Sequence, residues 1–438
     1  MKGLLPILIT LLLFTQGKVL LAQGISSAMG EISTVGFDGP FDVVRNPALL
    51  AQEERTGGLG LTLIYQPYDA FRTTPDAEFK SSFFTLLDRE FVIFDPDTLL
   101  LIGGAVFYFR TDRFAFGMSV SQSYDDEESG SLLRLTISLG PSTSRIFNNT
   151  SKREMETQSN MNFAYLVAPG LSLGLQYQFK YKTSSSVEES VNYIGSAIDT
   201  TETKEEDTKT YTSTVNMGVL YRTSSLQLGA IVTAGDYSLK RSSYTNIRDD
   251  YSPPFDVYDI SDVTSLEGTY NGAPGMVLGC LYSLTQGFAI AAEAGFRIPL
   301  KYNESDLSPS ATGYVEADVT TKNHFGYLLS MGVQYRVDAN LMLACGLLAR
   351  IFSVESVSES TSGRAEQEID YRLYSLRLGL EKKVFDNGFI VLFSAVDYGM
   401  FSIVSSENQS GPGNLTIKFD LSQKVMSVNA GISYIHYF

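Results

Sequence analysis

The side chains best suited to nucleophilic, acid–base or metal chemistry are two histidines, two cysteines and scattered carboxylates. His324, expected to face inward near a strand's outer end, and His436, expected at the terminal aromatic belt, stand alone, with no Gly-x-Ser-x-Gly elbow, no His-Glu-x-x-His pair and no Gly-rich phosphate loop in the sequence. The acidic runs Glu188-Glu189 and Glu205-Glu206-Asp207 suit weak divalent-cation binding at most, and otherwise a solvated surface that repels its neighbours. No enzyme, metal site or cofactor is expected. More informative are charged and amide side chains that fall on one parity of alternating runs: Gln176, Gln178, Lys180, Lys182, Glu293, Arg297, Arg336, Arg350, Arg377 and Glu381. Side chains spaced in this way line something, and their chemistry is either passage of water and polar solutes or charge pairing to an internal segment.

The elements that position them follow from composition and period. The 438 residues are 44% apolar and only 19% charged, too greasy for a disordered chain, and a net charge of −16 argues against a nucleic-acid groove. From Leu59 onward, runs of about ten residues alternate, the period-2 pattern of a strand with two unlike faces. In Leu171 to Lys182 every odd position is apolar or aromatic, and the even ones are Ser, Gly, Gln, Gln, Lys and Lys. A lysine on a lipid-facing position costs about 2–4 kcal/mol at mid-bilayer, so the polar parity faces a lumen. Val215-Met217-Val219-Tyr221 and Leu329-Met331-Val333-Tyr335 follow the same rule. A unit of apolar residue, Gly, two residues and Tyr recurs at Met217-Gly218, Leu278-Gly279 and Met331-Gly332, placing tyrosines as an aromatic girdle in a chain without Trp.

Tight turns are expected around Thr111 to Arg113, Ala168 to Gly170, Thr223 to Ser225, Thr285 to Gly287, Asp338 to Asn340 and Asp386 to Gly388, with long polar loops such as Thr183 to Lys209 between the pairs. With a lone strand at each end this makes fourteen strands, both chain ends lying on the short-turn side. Leu132 to Leu139 reads as a hairpin extension rather than a further span. Cys280 and Cys345 share the lipid-facing parity on strands separated by two others, some 14 Å by strand spacing, so two free thiols are expected. The fold class is therefore all-β: a 14-stranded antiparallel transmembrane β-barrel over residues 57–438.

Lys2, the apolar run Leu4 to Phe14 and Leu20-Leu21-Ala22 form an export signal over residues 1–22; the alternative, a membrane anchor, is interrupted by Lys18. The final strand, ending His436-Tyr437-Phe438, resembles the signal read by the outer-membrane barrel assembly machinery, so the expected location is the bacterial outer membrane with its lipid as partner.

Gly24-Ile25-Ser26-Ser27-Ala28-Met29-Gly30, Gly36-Phe37-Asp38 and Asn46-Pro47-Ala48 together resemble the opening of the FadL/TodX family of outer-membrane transporters for long-chain fatty acids and aromatic hydrocarbons. The resemblance implies an N-terminal hatch in the lumen for about residues 23–56, including Asp38, Asn46, Pro47 and Ala48, and passive uptake of small hydrophobic molecules. The family's second Gly after Met-Gly is Glu31 here, and its Gly after Asn-Pro-Ala is Leu49. PorV-type barrels of a secretion system share the opening pattern, so a partner or shuttle for secreted proteins is one alternative and a polar-solute porin another. Asn-Pro-Ala also has a local reading, since Pro fixes the backbone and Asn bonds neighbouring backbone, either inside a lumen or in a turn before the first strand. The run Leu99 to Phe107 is apolar on both parities, and Gly103-Gly104 marks a place for the sheet to bend or bulge. Leu100, Ile102 and Val106 are the candidate ligand-binding residues of an apolar path there, or contacts to the hatch core.

Overall fold

Alternation becomes structure because lipid and lumen each select one side of the pleat. The computed structural model describes residues 28–29, 31–36, 39–71, 76–80, 86–137, 143–194, 197–250, 257–310, 313–324, 326–360, 363–409 and 415–438. The wall is a closed antiparallel barrel of 14 strands. They are β1 (Gly57–Phe71, continued by Asp76–Lys80), β2 (Leu86–Arg110), β3 (Phe114–Ile137), β4 (Thr143–Ala168), β5 (Leu171–Ile194), β6 (Ala197–Arg222) and β7 (Leu226–Asp250). There follow β8 (Val257–Asn271 and Gly275–Ser283), β9 (Phe288–Arg297 and Leu300–Ser310), β10 (Gly313–Asn323 and Gly326–Arg336), β11 (Leu341–Ser360), β12 (Gly363–Phe385), β13 (Gly388–Gln409) and β14 (Leu415–Tyr437). Closure is the β1–β14 ladder, running from Gly58 opposite Tyr437 to Phe71 opposite Lys424, which leaves the lower wall no free edge.

On β5 the odd residues Leu173, Leu175 and Tyr177 are exposed outward while Ser172 and Gln176 are buried inside. From Leu173 to Tyr181 the outward face covers about 26 Å of strand, the length a tilted strand needs to cross the hydrocarbon core. Tyr221, Tyr282 and Tyr335 are exposed near the tight-turn end, where the sequence places the girdle. All six expected turns join neighbouring strands. At Gly170, with φ +80°, a Cβ would meet the Arg222 carbonyl at 2.3 Å, so the turn admits glycine alone. Cys280 and Cys345 are free, on β8 and β11 with β9 and β10 between them.

Three expectations change. The polar stretches read as long loops are largely strand: β5 and β6 stay paired from Leu171 opposite Tyr221 to Ile194 opposite Ala197. Beyond the membrane both faces meet water, so polar residues on both parities hide the period without preventing the ladder. Leu132 through Ile137 extends β3 in the same way, and Leu139 lies outside the described residues. Gly103-Gly104 forms no bulge: Leu63 and Thr62 on one side, Gln122 and Ser121 on the other, pair with the two glycines in unbroken register. A Cβ on Gly103 would meet nothing within 4 Å, so this glycine faces outward into open space. The wall is interrupted instead at Gly272 to Pro274, Ile298-Pro299 and His324, on the adjacent β8, β9 and β10. His324, expected to face inward, lies 3.6 Å from Glu355, which has the outward parity of Ile351.

Candidate functional site

The described residues of 28–56 lie inside the barrel toward its tight-turn end. Two short 3-10 helices, Gly39–Val44 and Pro47–Gln52, are the regular elements among these described residues, and nearly all their side chains are buried. Pro47 opens the second helix, where its missing N–H costs nothing, and Asn46 caps it by accepting from the Ala48 amide at 3.1 Å. The same Asn46 side chain donates to the Thr34 carbonyl at 3.0 Å and to Val219 of β6 at 3.1 Å. Asn-Pro-Ala thus joins the segment to itself and to the wall, and the local reading as a turn before β1 is replaced by one inside the lumen.

Arg45 organises the rest from within. Its guanidinium pairs with Asp42 at 2.7 Å and donates to the carbonyls of Ile32 and Val35 at 2.6 and 2.5 Å. On the wall side, Glu293 of β9 accepts four hydrogen bonds: Ser33 N and Thr34 N at 2.8 Å, Thr34 Oγ1 at 2.8 Å and Ser33 Oγ at 3.0 Å. Only 3% of Glu293 is exposed, so these charge-assisted bonds replace its lost water. Gln176 of β5 donates to the Val43 carbonyl at 2.8 Å, and Asn162 of β4 reaches the same oxygen. Gln52 spans Gly170, Ser172 and Leu220 near the turns, and Glu31 pairs with Arg350 of β11 and Arg377 of β12.

Apolar packing completes the seal. Val43, Leu50 and Ala51 meet Tyr108, Ala115 and Ala164; Phe41 meets Val106, Val391 and Ile435; Met29, Ile32, Val35 and Leu49 meet Leu220, Leu281, Ala291 and Ala344. Inward-facing glycines let the segment come this close. A Cβ at Gly174 would lie 2.4 Å from Ala48 N, one at Gly229 2.1 Å from Thr34 O, and one at Gly332 2.3 Å from Met29 O. Gly218 and Gly279 receive Asn46 and Thr34 in the same way. The repeated apolar-Gly-x-x-Tyr unit therefore does two jobs, and its glycine, visible in the sequence, was the signal for the seat.

Beyond the segment the lumen is two-sided. On β4 and β5, Glu154 lies between Lys152 at 2.6 Å and Lys182 at 2.5 Å, Gln178 donates to Asn160 at 2.9 Å, and Lys180 stands 4.0 Å from Glu156. Across β13, β14, β1 and β2 the inward row is Phe393, Gly431, Ile64 and Ile102, cross-strand neighbours at one height. Ile102 and Val106 are buried and inward; Val106 is under Phe41, and the Leu100 side chain and Asp38 lie outside the described residues. Arg297 has the lumen parity of Glu293 yet is exposed, since the ladder breaks at the next residue, and Arg336 is exposed at the turns. Sequence reasoning missed Ser33, Thr34, Gln52 and Asp397, whose roles depend on contacts across the barrel, and Arg45, which bonds the Ile32 and Val35 carbonyls of the preceding stretch. Among the described residues no group of three or more His, Cys, Asp or Glu could hold a metal ion.

No protein-family model matches the chain, and no curated protein does. Solved structures do. A Pseudomonas aeruginosa FadL homologue superposes with a TM-score of 0.58 at 11% identity, over 95% of this chain and 98% of its own. The Pseudomonas putida toluene transporter TodX gives 0.57 at 13% identity, over 96% and 99%. The chain has the FadL/TodX fold. The Ralstonia pickettii toluene transporter TbuX is similar as well, at 0.53 and 14% identity over 96% and 100%. In this FadL/TodX-type barrel the departure at Glu31 has a definite consequence. Glu31 adopts φ 59°, a left-handed conformation natural to glycine, while its carboxylate is held by two wall arginines.

Proposed function

We propose that this barrel sits in the bacterial outer membrane and passively admits small hydrophobic molecules, with residues 23–56 as the hatch. The observation that carries this reading is the segment seated on inward glycines inside a closed wall with an apolar outer face. The named solved structures, channels and transporters of FadL and toluene-transporter type, support it. Ligands captured at the outer end would meet the apolar wall built by Ile102 and Val106 with Ile64 and Phe393, to which Leu100 belongs by its parity in the sequence. The path onward opens when Phe41 and the rest of the segment shift away from Val106. Export by the signal at 1–22 and assembly through the strand ending at Phe438 belong to the same reading. Phe438 closes the seam by donating its amide to the Gly57 carbonyl at 3.2 Å.

The test is uptake of a labelled hydrocarbon or fatty acid by cells whose own hydrophobic uptake channels are deleted, with and without this protein. Uptake that appears with the protein supports the proposal. The Lys152, Glu154 and Lys182 lining favours a second reading, conduction of polar solutes. Liposome swelling in sugars without hydrocarbon uptake would put that reading first, and capture of secreted proteins without uptake of either would favour a carrier role.

A further inference from the structure

The outward face of β12, β13 and β14 changes character at one level. Below it the exposed side chains are apolar, among them Leu376 and Leu378 on β12, Val396 on β13 and Val428 on β14. Tyr374 and Tyr398, cross-strand neighbours and both exposed, close this belt on its outer side with Met426 beside them. The next outward row is Arg372, Met400 and Lys424, again direct cross-strand neighbours. Arg372 and Lys424 stand equally far from Asp386 and Phe438 at the tight-turn end, about 46 Å along the strand. A tilt of about 40° turns this into roughly 35 Å of height, which clears an apolar band of about 25 Å and ends among lipid headgroups. Further out the wall turns acidic, with Asp370, Glu368 and Glu366 at successive outward positions of β12.

We propose that Arg372 and Lys424 form a seat on the outer wall for a phosphate group carried by a lipid of the outer leaflet, whose acyl chains lie on the Tyr374–Tyr398–Met426 belt. Pairing, spacing and level carry the inference. Other outward cations of this region are already matched: Lys322 holds Glu355 at 3.3 Å, and Arg364 holds Glu366 at 2.7 Å. Arg372 and Lys424 are exposed, and among the described residues neither has an ion-pair partner. Their Cα atoms lie about 10 Å apart at strand spacing, with only the flexible Met400 between them, so a guanidinium and an ammonium reach one phosphate from two sides. The level selects the occupant. A phosphate seated lower enters hydrocarbon, and one seated higher meets the carboxylates of Asp370 and Glu368. A lipid uses the cations and the aromatic belt together, whereas a free anion uses the cations alone. In a chain of net charge −16, two unmatched cations at headgroup level also offset the repulsion of an anionic leaflet.

The barrel in detergent micelles is titrated with diphosphorylated lipid A and with the same lipid after its phosphates are removed, bound copies being counted by native mass spectrometry. The parent should bind the phosphorylated form at least tenfold more tightly. Arg372→Gln/Lys424→Gln should lose at least tenfold in affinity for the phosphorylated lipid and keep its affinity for the dephosphorylated one. Arg372→Lys/Lys424→Arg exchanges the two cations and keeps the charge, so it should stay within about threefold of the parent and guards against a folding artefact. Lys322→Gln, whose cation is already paired, should do the same. Unchanged discrimination in Arg372→Gln/Lys424→Gln, or an equal loss in Lys322→Gln, overturns the site. Displacement of the lipid by an equal concentration of inorganic phosphate overturns it too, because the seat would then serve a bare anion.

Discussion

Glu293→Ala is the sharpest perturbation of the seal. The substitution removes the acceptor of two buried backbone amides, Ser33 N and Thr34 N, and of two hydroxyls, Thr34 Oγ1 and Ser33 Oγ. The hydroxyls can rotate to other partners; the amides cannot. Each buried donor left unpaired costs about 1–3 kcal/mol, so the closed arrangement loses about 2–6 kcal/mol. At 1.4 kcal/mol per decade, the closed-to-open equilibrium shifts by a factor of roughly 30 to 10⁴, with an upper limit once the segment is free and its amides hydrated. The barrel should remain folded, because the β9 ladder to β8 and β10 is made by backbone that the substitution does not touch. Glu293→Gln keeps one oxygen for the two amides and loses only the charge, so its shift should be smaller, roughly tenfold. The assay is open probability in planar bilayers, with heat-modifiable gel mobility as the check on folding. A folded Glu293→Ala barrel with the parent's open probability would refute the reasoning.

Other consequences can be checked in the same preparation. Ile102→Glu places a charge on the apolar row and should cut hydrophobic uptake at least tenfold; unchanged uptake would remove Ile102 from the path. Gly229→Ala sets a Cβ about where the Thr34 carbonyl sits, with 2.1 Å between them, so the segment must shift. A destabilisation of about 1–3 kcal/mol is expected, read as protease sensitivity near Thr34. Asn46→Ala loses a helix cap and the bond to the Val219 carbonyl, about 1–2 kcal/mol, and should raise open probability less than Glu293→Ala. Cys280 and Cys345 should react with a membrane-permeant maleimide, resist a charged one, and show no intramolecular bridge after mild oxidation.

The wall was legible because lipid enforces it. Lys180 and Lys182 cannot face hydrocarbon, so parity alone assigned Gln176, Glu293, Arg350 and Arg377 to the interior, where the structure has them. The same rule fails where lipid ends, and Thr183 to Lys209 was read as loop although it pairs along most of its length. Gly103-Gly104 misled because a glycine pair has no side chain to declare its face; the breaks occur at Pro274, Pro299 and His324 instead. Gly218, Gly279 and Gly332 were seen as a repeat, but their role needed the positions of Asn46, Thr34 and Met29, which alternation does not encode. Glu31 stood out only as a departure from a family pattern, and two arginines more than three hundred residues away explain it.

A reversible lock tests the central claim most directly. Thr34 Cβ lies 3.1 Å from where a Cβ on Gly279 would sit, a few tenths of an ångström inside the spacing a disulfide needs, so after a small shift of the segment Thr34→Cys with Gly279→Cys in a Cys280→Ser/Cys345→Ser background can tie it to β8. Oxidised barrels should take up no labelled hydrophobic ligand, and reduction of the same barrels should restore uptake. Equal uptake in the two states would show that the ligand does not pass where this segment sits.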